Sequence, residues 1–141
     1  MIKLRILGID YGDSRIGIAV SDALGWTAQP VTVISEKEKE KQLEGIIKYI
    51  AEYNVDGIVM GFPKNMNGTI GERAEKTRAF AQLLEERCGK QVVLWDERLS
   101  SSAAHRTLAE GNVSGKKRKG ILDKLAAVFI LQSYLDLKKG C

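Results

Sequence analysis

The chain has one histidine, two cysteines and two prolines in 141 residues. A lone His105, with no Ser or Cys set beside it in a nucleophile elbow, excludes triad-type covalent catalysis. Cys88 and Cys141 make neither a disulfide framework nor a zinc-ligand spacing, so a reducing cytoplasm is the expected setting. No stretch approaches the roughly 18 unbroken apolar residues of a membrane span. The opening MIKLRILGIDYG has no apolar core ahead of a small-residue cleavage site. Neither a membrane partner nor export is expected. The length suits one domain, residues 1–141, that buries about 70% of the surface of its unfolded chain. A two-domain machine closing over its ligand is excluded on the same ground.

Acid and base nearly balance, with 22 Lys+Arg against 18 Asp+Glu and a net charge of +4. The excess is local. Gly111 to Gly120 read GNVSGKKRKG, with Lys116, Lys117, Arg118, Lys119 and no acid, and the remainder holds 18 bases and 18 acids. Flanked by glycines, the segment reads as a loop. Two readings stay open from the run alone: an attractor for polyanions, or a solvated charge run.

Strand and helix signals alternate along the chain. Leu4 to Ile9, ending at Asp10, and Arg15 to Ser21 are two strands joined by the turn cluster Tyr11-Gly12-Asp13-Ser14, which predicts an antiparallel hairpin. Pro30 to Ile34 predicts a third strand completing a meander. Ser35 with Glu38 matches a capping box opening a helix with Leu43, Ile46, Ile47 and Ile50 on its apolar face. Gly57 to Gly61 is an apolar run suited to a buried strand. Thr69 with Glu72 suggests a second capping box, before a helix with Thr77, Phe80, Ala81, Leu84 and Cys88 on one side. Gln91 to Trp95 is a fifth strand, a short helix follows from about Ser101 to Glu110, and a last helix runs from Ile121 to about Lys138. The expected fold class is α/β: a mixed five-stranded sheet, three antiparallel strands and then parallel strands by crossover, with helices on both faces.

Three acids fall at element ends. Asp10 closes the first strand and Asp96-Glu97 the fifth, and parallel crossovers bring Asp10 and Glu97 to one sheet edge, on adjoining strands. Asp123 is expected in the first turn of the last helix, where an acid is also explained by the helix dipole. Taken singly, each acid reads as a turn former, cap or ion-pair partner. Together they read as a carboxylate cluster, whose mutual repulsion a cation relieves. With one histidine, that cation is a hard one, Mg²⁺ or Mn²⁺. Carboxylates around such ions suit phosphodiester hydrolysis, since paired metals about 4 Å apart serve both the attacking and the departing oxygen.

Four motifs occur in order: Asp10-x-Gly12-x-x-Arg15-Ile16-Gly17-Ile18-Ala19, Gly61-Phe62-Pro63-Lys64-Asn65-Met66-Asn67-Gly68, Asp96-Glu97-Arg98-Leu99-Ser100 and Asp123-Lys124-Leu125-Ala126-Ala127. Together they resemble the YqgF family, also called RuvX, over essentially the whole chain. The resemblance implies a ribonuclease H-like fold and either Holliday junction resolution or cleavage of pre-16S ribosomal RNA. It also implies a catalytic and metal-binding triad of Asp10, Glu97 and Asp123. Asp13 departs from the family pattern, which more usually has a small or hydroxyl residue there, and adds negative charge beside Asp10.

Around the triad, Arg15 is a candidate for a substrate phosphate or for Asp13, and Arg98 for a phosphate or a structural ion pair. Lys64 and Asn65 belong to a loop at the same edge. Lys116, Lys117, Arg118 and Lys119, shortly before Asp123, would add affinity through phosphate contacts without reading sequence. Gly12 and Gly17 allow either close approach to a phosphate or ordinary turns. The partner expected is nucleic acid, structured RNA or branched DNA, bound by a monomer or a homodimer. Two other functions compete. The Asp10 hairpin also resembles the phosphate-binding hairpin of actin-like ATPases and sugar kinases, but those enclose a nucleotide between two such domains. A non-catalytic nucleic-acid-binding or ribosome-assembly factor would keep the basic run and use its acids structurally.

Overall fold

The computed structural model describes residues 5–12, 14–63, 70–97 and 115–139, with the side chains of 115–124 and 138–139 outside that description. The strands are β1 (Ile6–Tyr11), β2 (Arg15–Ser21), β3 (Ala28–Ser35), β4 (Gly57–Phe62) and β5 (Val92–Asp96). The helices among these residues are α1 (Lys39–Glu52), α2 (Glu72–Cys88) and α3 (Gly115–Lys139). The short helix expected near 101–110 lies outside the described residues, as do Leu4, Asp13 and His105.

One sheet holds all five strands in the order β3-β2-β1-β4-β5. β1, β2 and β3 form the expected antiparallel meander. β4 then pairs parallel to β1, and β5 parallel to β4. β1 and β5 therefore do not adjoin, contrary to expectation. One edge of β1 is already taken by β2, so β4 fills the other edge and β5 has to add beyond β4.

Side chains alternate between the faces with the strand period of two. On one face Leu7, Ile9, Ile16, Ile18, Ile58 and Met60 pack against Leu43, Ile46 and Ile50 of α1 and Phe80 and Leu84 of α2. On the other, Ala19 and Ala28 meet Ala127, Leu131 and Leu135 of α3. The second face is built from small residues because α3 lies very close. A Cβ on Gly8 would stand 2.7 Å from the Leu131 Cβ and 3.0 Å from the Ala127 carbonyl oxygen. α3 also runs opposite to β1. Its Gln132 accepts the Ala28 N–H at the amino end of β1, while Ala127 and Leu131 lie over Gly8.

The helix starts differ from the capping-box readings. Ser35 is the last residue of β3, held there by its pairing with Arg15, and the N-cap of α1 is Glu38, without a side-chain cap. The turn is secured instead by the buried Gln42, whose Nε2 donates to the Glu36 carbonyl at 2.7 Å. α2 is capped by Gly71, so Glu72 is its first residue rather than the third helical position a capping box needs, and Thr69 lies outside the described residues. α3 begins at Gly115, six residues ahead of the expected Ile121. Residues 116–119 are thus helical rather than a loop. Lys and Arg are good helix formers, and a long apolar helix outweighs about 1 kcal/mol for each of Gly115 and Gly120.

Candidate functional site

Asp10 is the fifth residue of β1 and only 9% exposed. It alternates with Ile9 and Tyr11, which belong to the α1/α2 face, so it stands on the α3 face. Its partner across the hairpin is Gly17 of β2. On its other side the β1–β4 register, Ile9 with Met60, brings Gly61 level with Asp10. A nearly buried carboxylate thus sits between two positions that carry no side chain. Burying a carboxylate is costly unless donors or a cation meet it, so an acid at this position calls for such partners.

Glu97 directly follows β5, half-buried. It returns to the same face: a Cβ on Gly61 would lie 3.0 Å from its Oε1 and 3.1 Å from its Cγ. Asp10 and Glu97 therefore share the α3 face at the carboxyl edge, one strand apart across Gly61. Trp95 fixes the end of β5 to α3. Its indole N–H donates to the Ser133 hydroxyl at 3.1 Å, and its ring meets Tyr134 edge-on with centroids 5.4 Å apart. Beneath the sheet Tyr11 stacks on Phe80 at 4.2 Å, and the Arg78 guanidinium lies 5.4 Å from the Phe62 ring centre. The ends of β1 and β4 are thus held on α2, which gives the two acids a firm base.

Asp123 is the ninth residue of α3 rather than a first-turn acid, because the helix starts earlier. The dipole explanation weakens accordingly, since that effect fades within the first turn. Position 123 precedes Ala127 by one turn, and α3 there heads toward the end of β1 that carries Asp10. Its side chain lies outside the described residues. Among the described side chains, no three His, Cys, Asp or Glu residues form a metal site.

Of the other candidates, Arg15 opens β2 at this edge, opposite Ser35. It lines a depression of about 430 Å³ with Ser14, Ser35, Glu36, Lys37 and Glu38, where two bases meet two acids. Gly12 serves the turn: a Cβ there would lie 2.7 Å from the Arg15 carbonyl oxygen. Lys64, Asn65 and Arg98 fall outside the described residues. Lys116, Lys117, Arg118 and Lys119 occupy the start of α3, a correction to the loop expected for them. Two strand glycines under α3, Gly8 and Gly61, also shape this edge, and Gly61 opens the second of the four motifs. The local signal both share is a glycine inside an apolar strand, which marks close approach of another group.

The comparisons agree with this architecture. A family model described as "RuvX: Holliday junction resolvase" matches residues 4–137. A protein of Listeria monocytogenes serotype 4b (strain CLIP80459), named "Putative pre-16S rRNA nuclease", is 56% identical over 135 residues, covering 94% of this chain and 98% of its own. A Geobacillus sp. (strain WCH70) protein of the same name is 56% identical over 138 residues, covering 96% and 100%. Among solved structures, Thermus thermophilus RuvC in complex with a Holliday junction substrate superposes with a TM-score of 0.63 at 12% identity, covering 97% of this chain and 96% of that one. The fowlpox virus Holliday junction resolvase gives 0.55 at 15% identity, covering 95% and 99%. These two likenesses establish the expected ribonuclease H-like fold, a mixed five-stranded sheet with helices on both faces. Sequence match over nearly the whole length goes further: the chain belongs to the RuvX family, a family of nucleases.

Proposed function

We propose that residues 1–141 act as one nuclease domain, a divalent-cation-dependent endonuclease that hydrolyses phosphodiester bonds in structured nucleic acid. The observation that carries this is the pair Asp10 and Glu97 on one face of the carboxyl edge, separated by the side-chain-free Gly61. Two carboxylates on one face of the edge, with no side chain on the strand between them, suit a hard cation such as Mg²⁺ or Mn²⁺. Asp10, Glu97 and, from α3, Asp123 would hold it. When bound, such a cation supplies Lewis-acid polarisation of the phosphate and activation of water. The chain's own part is to present the carboxylates on rigid strand ends and to grip the strand being cut. In the hydrolysis an oxygen of water bonds to phosphorus, one ester P–O bond breaks, and the departing oxygen takes up a proton.

Arg15, Lys64, Asn65, Arg98 and the bases at 116–119 would hold phosphates flanking the cut, giving affinity without sequence reading. The substrate we favour is the precursor of 16S ribosomal RNA, the activity named for relatives 56% identical over nearly their full length. A four-way DNA junction is the second reading, supported by the family description. It requires a twofold dimer to place two centres on opposed strands, whereas RNA cleavage needs only a monomer. The reducing cytoplasm is the compartment this reading assumes. No helix among the described residues is long and apolar enough to cross a membrane.

The test is cleavage by the purified chain in Mg²⁺ or Mn²⁺ against EDTA, with an RNA spanning the precursor end and a synthetic junction as substrates. Cutting of the RNA that EDTA abolishes is expected. Asp10→Asn and Glu97→Gln should each lower the rate more than the roughly 10–100-fold cost of losing an outer-shell partner. Both should bind RNA at least as tightly as the wild type, because negative charge is removed near phosphates. Wild-type rates in either variant would refute the assignment, and cutting of the junction alone would select the second reading.

A further inference from the structure

Gly61 is a point on the carboxyl edge where three parts of the fold press on the same few ångströms. It lies on β4, level with Asp10 of β1 and beneath the Glu97 carboxylate that follows β5. From above, α3 adds Ile130. A Cβ at this position would stand 2.5 Å from the Ile130 Cδ1, 3.0 Å from the Glu97 Oε1 and 3.1 Å from the Glu97 Cγ. Gly8, the other strand glycine under α3, differs in kind: its neighbours are Leu131 and the Ala127 backbone, so its need is one of packing alone. At Gly61 the packing contact and the carboxylate contact are separable. The Ile130 Cδ1 is a terminal methyl that valine lacks, whereas a Cβ makes the Glu97 side chain give by a few tenths of an ångström whatever residue 130 is.

Resting on the reading of Asp10 and Glu97 as cation ligands, we propose that Gly61 is a positioning residue. Its missing side chain lets the Glu97 carboxylate lie against the floor of the site, level with Asp10. Groups that orient a ligating carboxylate tune the affinity of the site, typically by about 10–100-fold. The role is therefore to set cation affinity, distinct from letting α3 pack.

Three variants separate these two contributions: Gly61→Ala, Ile130→Val and the double substitution. Each is measured by thermal melting and by calorimetric titration with Mn²⁺, alongside cleavage of the RNA. Gly61→Ala should melt at a lower temperature than the wild type and bind Mn²⁺ about 10–100-fold more weakly. Adding Ile130→Val should recover the melting temperature but not the affinity, and Ile130→Val alone should bind Mn²⁺ as the wild type does. A double variant that folds and binds Mn²⁺ within about twofold of the wild type overturns the proposal and leaves Gly61 a packing residue. A wild-type chain that takes up no Mn²⁺ overturns the cation reading itself, and with it this role, before any substitution is compared.

Discussion

Asp22 organises the whole β2–β3 connection through one carboxylate. Its Oδ1 accepts the Trp26 N–H at 2.8 Å, and its Oδ2 accepts the Thr27 hydroxyl at 3.2 Å. The Trp26 bond, first among these, holds the Asp22 carboxyl below its ordinary pKa. Gln132 then ties the connection to α3 by accepting from Ala28 and donating to the Trp26 carbonyl and to Asp136. A carboxyl whose pKa falls on folding contributes stability above its unfolded value, near 4, and loses it as pH drops through the folded value. Asp22→Ala should therefore be less stable than the wild type at neutral pH, with the gap closing below about pH 4. Urea denaturation across pH 2.5 to 7 checks this, and a gap unchanged at the acid end would mean the carboxylate charge plays no part. Asp10 was legible in the sequence because a lone acid closing an apolar strand before a Gly turn is a local pattern. Gly61 was not, since a glycine in a strand reads the same whether or not another side chain covers it.

At the scale of elements, α3 departs most from its sequence reading. The apolar stretch from Ile121 was correctly read as helix, yet its start depends on residues that local rules assign to a loop. Two glycines and four like charges argue against helix there, while the helix propensity of Lys and Arg and continuity with the packed part argue for it. The capping box at Ser35 failed for a related reason. Ser35 has a strand partner, Arg15, and tertiary pairing outweighs a local cap worth about 1 kcal/mol. How closely α3 seats on the sheet is testable at Gly8. Gly8→Ala forces a methyl to 2.7 Å from the Leu131 Cβ, which has no flexible end to move away. The expected cost is about 1–3 kcal/mol, read from the denaturation midpoint at unchanged slope. A loss under about 0.5 kcal/mol would mean that α3 shifts freely on β1.

For the molecule as a whole, the charge distribution predicts how substrate is held. Outside residues 116–119 the chain carries equal numbers of acids and bases. Replacing Lys116, Lys117, Arg118 and Lys119 by Ala should weaken RNA binding and make its salt dependence shallower, by up to about one unit of slope per lost phosphate contact. The rate at saturating RNA should change little, because these bases are proposed to hold substrate rather than reacting atoms. An unaltered slope, measured by titration at several salt concentrations, would show the run to be merely solvated. The ion pair joining the two helices on the opposite face belongs to a different class. Arg87 meets Glu40 through two hydrogen bonds of 2.9 and 2.6 Å, but both side chains are largely exposed. Such pairs contribute little, and the fold rests on the two apolar layers instead.

Period-two and helical hydrophobic patterns, turn residues and apolar runs are local, so the element order, the antiparallel start, the parallel crossovers and the helix layers can be read along the chain alone. So can the meeting of Asp10 and Glu97 at one edge, because parallel strands share a carboxyl end. Three features emerge only on packing: β4 lies between the two acid-bearing strands, Gly61 stands level with Asp10 beneath Glu97, and α3 runs close enough to confine them. Register between β1 and β4 and the approach of α3 over Gly8 and Gly61 depend on side chains far apart in the chain. Volume and hydrogen-bond pairing set those distances once the elements pack, and no periodicity along one segment encodes them.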